Sequence, residues 1–267
     1  VDNGMNKQFE TILIKNEGHV AWIRLNRPEV ANAFNTLMAE ELRDVFQAFI
    51  SGTRQARCIV LTGTGERAFC AGGDLKQRNN MTNEAWFTQH VVFEDLARAL
   101  MDCPIPLIGA INGAAYGGGT ELTLACDFAY AAQHARFALT ETTLGIIPGM
   151  GGTQYLPRAV GIRRAKEVIL SGRPFDAEQA LQWGLVNQVC APAELEDTVQ
   201  KVATKIASNG PMAVRAALRA INHAEFSTIK EDYEVELSAY NELIPTADRH
   251  EGIHAFNEKR KAIFKDG

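Results

Sequence analysis

Two carboxylates, Glu121 and Glu141, each stand alone among apolar and small residues beside a glycine-rich turn. Glu121 lies in Gly117-Gly118-Gly119-Thr120-Glu121-Leu122-Thr123-Leu124-Ala125-Cys126, with no other charge before Asp127. Glu141 lies between the strand-like Phe137-Ala138-Leu139 and the turn Gly145-Ile146-Ile147-Pro148-Gly149-Met150-Gly151-Gly152-Thr153. An ionised carboxylate in such surroundings is expensive to bury unless it is paired, protonated or in use. The pair therefore reads as acid–base chemistry; the alternative for either residue is an acid that only offsets a helix dipole.

The glycines favour the first reading. Three glycines feeding a helix leave backbone N–H groups unshielded, with the positive helix end behind them, and such a spot stabilises a developing oxyanion. A second donor loop is available in Ala68-Phe69-Cys70-Ala71-Gly72-Gly73-Asp74-Leu75-Lys76, after the β-rich run Cys58-Ile59-Val60-Leu61-Thr62. Two amides converging on one carbonyl oxygen form an oxyanion hole, each donor contributing about 3 kcal/mol to the transition state.

Bringing these groups together requires tertiary folding, because the two acids are too far apart to share one helix face. Strand-like stretches (Thr11 to Ile14, His19 to Leu25, Arg57 to Thr62, Leu107 to Ile111, Phe128 to Ala132, Val186 to Val189) alternate with helical ones at Thr36 to Ile50 and Asn83 to Met101. That alternation predicts βαβ units wound into an α/β core. From about Ala193 three amphipathic helices follow, broken at Asn209-Gly210-Pro211, His223 to Ser227 and Ile244-Pro245-Thr246. Their apolar faces need a partner, either the core or a neighbouring subunit.

With these motifs in order, the chain resembles the crotonase or enoyl-CoA hydratase superfamily over nearly its whole length. The resemblance runs from Leu25-Asn26-Arg27-Pro28 with Asn32-Ala33, through the Phe69–Lys76 loop and Ile111-Asn112-Gly113-Ala114-Ala115-Tyr116-Gly117-Gly118-Gly119-Thr120-Glu121-Leu122, to Gly145–Gln154. It ends in Asp248-Arg249-His250-Glu251-Gly252-Ile253-His254-Ala255-Phe256-Asn257-Glu258-Lys259-Arg260. It implies a spiral of ββα units over residues 1–192 and a C-terminal helical trimerisation region over 193–267, assembling as a homotrimer or as a hexamer built of two trimers.

The same resemblance implies oxyanion amides at Gly73 and Gly118 and an acid/base pair at Glu121 and Glu141. Relatives that hydrate a 2-enoyl thioester carry both acids, so an enoyl-CoA hydratase is expected; double-bond isomerisation and carnitinyl-CoA-type dehydration are the alternatives. In the family the residue aligned with Glu121 usually activates water and that aligned with Glu141 delivers the proton. The residues themselves leave those roles open. Coenzyme A belongs to the substrate, no separate cofactor or metal is expected, and the CoA-contacting positions are Arg27, Ala71, Gly73, Asp74, Leu75, Lys76 and Gly118. One departure is Glu29, where many relatives carry a phosphate-binding Lys after the Arg-Pro pair; Arg27, Lys76, Lys259 and Lys261 are the remaining bases for that task.

A different class of function, RNA binding, comes from a methylglutaconyl-CoA hydratase relative suggested by Asp74-Leu75-Lys76-Gln77-Arg78 and Ile244–Arg249. That relative uses a lysine-rich early helix, whereas Thr36 to Ser51 here holds Glu40, Glu41, Arg43 and Asp44 and no Lys. Phosphate contacts dominate non-specific RNA affinity, so no nucleic-acid partner is expected.

Composition agrees. The chain has 267 residues, 46% hydrophobic content and a formal charge of −5, enough for one large core and offering no broad attraction to nucleic acid or anionic lipid. No stretch is long and apolar enough to span a membrane. The start, Val1-Asp2-Asn3-Gly4-Met5, lacks a signal or transit pattern, and Met5 is read as the natural start. The five cysteines, Cys58, Cys70, Cys103, Cys126 and Cys190, have no metal spacing and read as reduced core thiols of a cytoplasmic protein. Cys70 adjoins a donor loop, but packing is its expected role. His250 and His254 are spaced i,i+4 and are expected on a solvated or interface face. Met81 to Val92, with Trp86 and Phe87, is either pocket wall or helix core; core is the expectation.

Overall fold

The structure, a computed structural model, describes residues 9–79, 81–223 and 237–267. The readings made above for Met5 and for the helix break after His223 lie outside these residues.

Among the described residues ten strands form two sheets: β1 (Ile12–Glu17), β2 (Val20–Leu25), β3 (Cys58–Gly63), β4 (Ala68–Cys70), β5 (Leu107–Ile111), β6 (Ala114–Tyr116), β7 (Phe128–Ala132), β8 (Arg136–Ala138), β9 (Phe175–Asp176) and β10 (Gln188–Cys190). The larger sheet has the order β1-β2-β3-β5-β7-β10 and the smaller the order β4-β6-β8-β9. The chain alternates between them: β3 is followed by β4, β5 by β6 and β7 by β8, so each step of the spiral gives one strand to each sheet. Pairing is parallel except for β1 with β2 and β8 with β9. The opening strands therefore form an antiparallel hairpin, turned at Gly18 (φ 62°), and β2 goes on through α1 to pair in parallel with β3, the first βαβ unit.

The helices are α1 (Thr36–Ile50), α2 (Leu75–Arg78), α3 (Asn83–Met101), α4 (Gly118–Leu124), α5 (Gly152–Val160), α6 (Ile162–Ser171), α7 (Ala177–Trp183), α8 (Leu195–Ala207), α9 (Pro211–His223) and α10 (Ala247–Asn257). The first long helix starts where Asn35 accepts a hydrogen bond from the Met38 amide, and α3 where Thr82 accepts one from Ala85. Such caps satisfy one otherwise orphaned donor. Helix α1 buries Met38, Leu42, Val45, Phe46 and Phe49, the 3.6-residue stripe of a core-facing helix.

Both faces of the large sheet are covered. Ala21, Ile23 and Leu25 of β2 and Ile59 and Leu61 of β3 join the main core with α1 and α3; Val20, Trp22, Cys58 and Val60 point the other way, onto Leu195, Val199 and Ala203 of α8. Period-two alternation between two buried faces explains why these strands read as continuous apolar runs. Helix α8, the first of the C-terminal helices, thus covers the sheet of its own chain, tied by Trp22 Nε1 to Gln200 (2.6 Å) and by the bidentate Arg24–Glu196 pair (2.7 Å). Further on, Ile221, Tyr240, Ile253 and Ile263 remain exposed.

Candidate active site

The small sheet builds the site. Parallel pairing of β4 with β6 and of β6 with β8 sets the loops after these three strands side by side at their C-terminal ends. The first loop carries Gly72 and Gly73, the second Gly117 and Gly118, and the third Thr140 and Glu141. All six line one cavity of about 580 Å³. Ligand sites commonly sit at the carboxyl ends of parallel strands.

The first loop is fixed from behind. Phe34 N donates to Gly72 O (2.7 Å) and Asp74 N donates to Phe34 O (3.0 Å), closing a parallel bridge between Phe34 and Gly73. In that geometry the Gly73 amide is directed away from Phe34. Asn32, fully buried with φ 54°, accepts from Arg27 N and donates to Thr64 O and Ala68 O, which accounts for its place in the first motif. In the second loop Gly117 N donates to Ala138 O (2.8 Å), and Thr120 Oγ1 donates to Ala115 O and Ala138 O. Gly117 has φ 51° and ψ −121°, and a Cβ there would sit 2.9 Å from Glu141 Oε1. Only glycine suits both demands. Gly118 is then the first residue of α4, so its N–H has no partner within the helix.

Glu121 projects from α4 and is 3% exposed. Its Oε1 accepts from the amides of Met150 (2.7 Å) and Gly152 (2.9 Å), at the start of α5. Burial pushes its carboxyl upward, opposed by the amides of Gly152, Met150 and Gly149. Glu141 opens a 3-10 turn, Glu141–Leu144, and its Oε2 is buried without a hydrogen-bond partner. Burial, and secondarily the charge of Glu121, push the Glu141 carboxyl up to about 7, while its own amide and Arg78 act against the rise. A buried acceptor with no protein partner is placed to exchange a proton with something that enters the cavity.

The direction of that shift has a consequence for folding. From about 4.5 to about 7 the folded chain keeps a proton that the unfolded chain has released, so stability falls as pH rises through this window and the loss is complete above it. Replacing Glu141 by Gln is expected to flatten the dependence. The variant should unfold at a higher temperature than the parent at pH 8, with a difference on the order of 1–3 kcal/mol that shrinks toward pH 5. Parallel melting-temperature curves for the two proteins across pH 5 to 8 would contradict the shift.

The residues singled out in the sequence divide into two groups. Glu121, Glu141, Gly73, Gly118, Ala71 and Leu75 line the cavity. Arg27, Asp74 and Lys76 lie outside its lining. Arg27 Nη1 donates to Ala33 O (2.7 Å) and pairs with Asp74 (2.9 Å), which also caps α2 through the amides of Lys76 and Gln77, so this ion pair ties the stretch after β2 to the first site loop. Lys76 is exposed, as are Lys259 and Lys261. Cys70 is buried, and burial pushes its thiol up to about 12, which suits packing and not nucleophilic attack. His250 and His254 are exposed, and among the described residues no group of three His, Cys, Asp or Glu side chains could hold a metal. Among the described residues no helix is long and apolar enough to cross a membrane.

Two expectations for Met81 to Val92 change. Trp86 lines the cavity instead of packing in a core, and Phe87 is 72% exposed. The sequence reading also passed over Arg78, His90, Thr140, Leu144 and Ile147, all on the cavity wall. Of these, Arg78 entered only as the end of the run Asp74–Arg78 that suggested a methylglutaconyl-CoA hydratase relative.

Residues 15–267 match the Enoyl-CoA hydratase/isomerase family, and the chain belongs to it. YngF of Bacillus subtilis, which carries the name of the same family, is 46% identical over 252 residues, spanning 94% of this chain and 96% of the relative. The short-chain-enoyl-CoA hydratase of Clostridium acetobutylicum is 37% identical over 95% of this chain and 97% of its own length. The crystal structure of an enoyl-CoA hydratase from Bacillus anthracis superimposes with a TM-score of 0.94 at 44% identity, covering 97% of this chain and all (100%) of the other.

Proposed function

We propose that the chain hydrates 2-enoyl-CoA thioesters, with Glu121 and Glu141 as the acid/base pair and the amides of Gly73 and Gly118 as the oxyanion hole. The observation that carries this reading is the meeting of two buried carboxylates with the backbone of Gly73 and Gly118 in one cavity. When water adds to C3, negative charge moves through C2 onto the thioester oxygen, where the two amides can hold it. One carboxylate takes a proton from the water as its oxygen bonds to C3. The other delivers a proton to C2, so the double bond is lost and the atoms of one water are gained. The carboxylates titrate as a coupled pair, and proton ownership belongs to the pair. The balance draws only on thioester and water and calls for no further cofactor. Loss of the conjugated thioester absorbance with crotonyl, longer straight-chain, 3-methylglutaconyl or crotonobetainyl thioesters tests the activity, and a panel without turnover would refute it.

The exposed apolar residues Leu144 (52%) and Ile147 (68%), at the cavity wall, suit an acyl-pantetheine arm. Residues 193–267 serve, in this account, as the helical region that joins subunits into a trimer or hexamer, with α8 seated on its own sheet and the exposed Ile221, Tyr240, Ile253 and Ile263 contributing to contacts between copies. Light scattering should give a trimer-based mass for the intact chain, and deletion after Ala207 should give aggregates or monomers. A well-behaved intact monomer would refute the assembly. The five free, buried thiols fit a reducing compartment, and we place the protein in the cytoplasm.

A further inference from the structure

Helix α2 is not held in place by apolar burial. It spans four residues, buries none of them, and leaves Leu75 53% exposed. Yet it starts directly after Gly73 and Asp74, so its position sets the backbone of the first donor loop. Apolar area removed from water cannot supply that position, and the task falls to polar contacts.

Those contacts converge on Gln89, which lies in α3 and is 4% exposed. Its Oε1 accepts from Arg78 Nε (2.8 Å), and its Nε2 donates to Gln77 Oε1 (3.0 Å) and to Thr36 Oγ1 (2.8 Å). Gln77 Oε1 accepts in addition from the Thr36 amide (3.0 Å), at the first residue of α1. One buried side-chain amide thus grips the last two residues of α2 and the start of α1 at once. The stretch from Phe34 to Thr36 also holds Gly73 from the other side, through the Phe34–Gly72 and Asp74–Phe34 backbone bonds. Donor loop, α1 and α2 are therefore locked together through Gln89.

We propose that Gln89 is a positioning residue for the oxyanion hole, fixing the direction of the Gly73 amide through Gln77 and Arg78. This rests on the oxyanion-hole reading and deepens it by naming what holds one of the two donors. Arg78 carries the constraint to the loop: its guanidinium, stacked 4.4 Å from the Trp86 ring centroid, has Cζ and Nη1 3.6 Å from where a Cβ on Gly73 would stand. Gln89, Gln77 and Thr36 are absent from the cavity lining, so their effect on substrate passes through that backbone. A displacement of about 1 Å in a reacting group costs about a hundredfold in rate. The charge that builds in the transition state feels the misplaced donor far more than the neutral thioester does.

The test is a ratio of affinities measured by calorimetry. Acetoacetyl-CoA and butyryl-CoA share coenzyme A and a four-carbon acyl chain, but the first has an acidic C2 and offers the amides an enolate oxygen. The parent protein should bind acetoacetyl-CoA about 10- to 100-fold more tightly, with the ultraviolet band of the bound enolate visible. Gln89→Met, apolar and of similar length, should cut that ratio by about tenfold or more and weaken the band. It should lower kcat on crotonyl-CoA by about 10- to 100-fold, while KM and butyryl-CoA affinity change by less than about threefold. Gln77→Met, at an exposed position, should act in the same direction by a smaller factor. The double variant should be little worse than Gln89→Met, since the two side chains act through one network. An unchanged ratio in Gln89→Met overturns the proposal, as does an unchanged ratio in Gln77→Met should the first variant fail to fold. Equal weakening of both ligands overturns it too, because a generally loosened site does not single out the enolate. The ratio needs no turnover, so the two readings fail separately. A ratio that falls in Gln89→Met, in a protein that hydrates no thioester, upholds the role of Gln89 and counts against the hydratase reading. Hydration with a ratio that Gln89→Met leaves unmoved does the reverse, and a parent ratio near one removes the oxyanion hole and this role with it.

Discussion

Glu121→Gln and Glu141→Gln are each expected to lower kcat on the best enoyl-CoA by about two to four orders of magnitude, the usual weight of a positioned acid or base. Gln is the informative replacement because it keeps the shape of the site. At position 121 its carbonyl oxygen can still accept from the amides of Met150 and Gly152, so the loop before α5 stays anchored while the proton-carrying capacity is lost. At position 141 no hydrogen bond to Oε2 is broken, since that atom has no partner. Groups that act as a unit lose activity non-additively, so the double variant should be little worse than the weaker single one. Steady-state rates on folded protein, checked by circular dichroism, give the answer. Near-normal turnover in either variant would remove that residue from the acid/base pair.

The second large effect concerns the backbone. Gly118→Pro deletes an N–H that the proposed mechanism uses, and the structure makes this an unusually clean experiment. Gly118 is the first residue of α4, a first-turn position where proline breaks no helical hydrogen bond. A Cβ there meets nothing within 4 Å, so Gly118→Ala is sterically free and serves as the control. Transition-state stabilisation should fall by roughly 3 kcal/mol or more, which is a loss of about a hundredfold or greater. Gly118→Ala, which keeps the amide, should lose much less. Gly73→Pro removes the other donor and should act alike. A folded Gly118→Pro protein with full activity on any acyl-CoA would end the backbone-amide account.

How much of this was readable beforehand depends on the range of the interaction concerned. Helices α1 and α3 were legible to the residue, because Asn35 and Thr82 are capping types and the apolar stripe behind them is local. Strands β5 and β7 were legible as apolar runs between two buried faces. The small sheet was not. Its strands are only two or three residues long, too short to show alternation, and their parallel pairing joins residues as distant as Cys70 and Ala115. Yet that sheet aligns the three site loops.

The same contrast holds within the site. The lone acids in apolar surroundings stood out because an unpaired buried charge is rare. That Glu121 is held by the amides of Met150 and Gly152 did not, since any Gly/Pro turn offers such donors and only folding selects one. Arg78 was given no place in the site, and Trp86 was weighed as pocket wall but expected in the core, for a related reason: on a helix an Arg reads as a solvated face and a Trp as core. The stack of one on the other, at 4.4 Å, forms only when α2 and α3 close over the cavity.

The central claim, addition of water to the double bond, is tested most directly by the fate of labelled oxygen. Crotonyl-CoA incubated with the protein in heavy-oxygen water should give 3-hydroxybutyryl-CoA, heavier by one labelled water, with the label on C3 and the conjugated absorbance gone. A product of unchanged mass with a shifted double bond, or free coenzyme A with the label in a released carboxylate, would contradict the account.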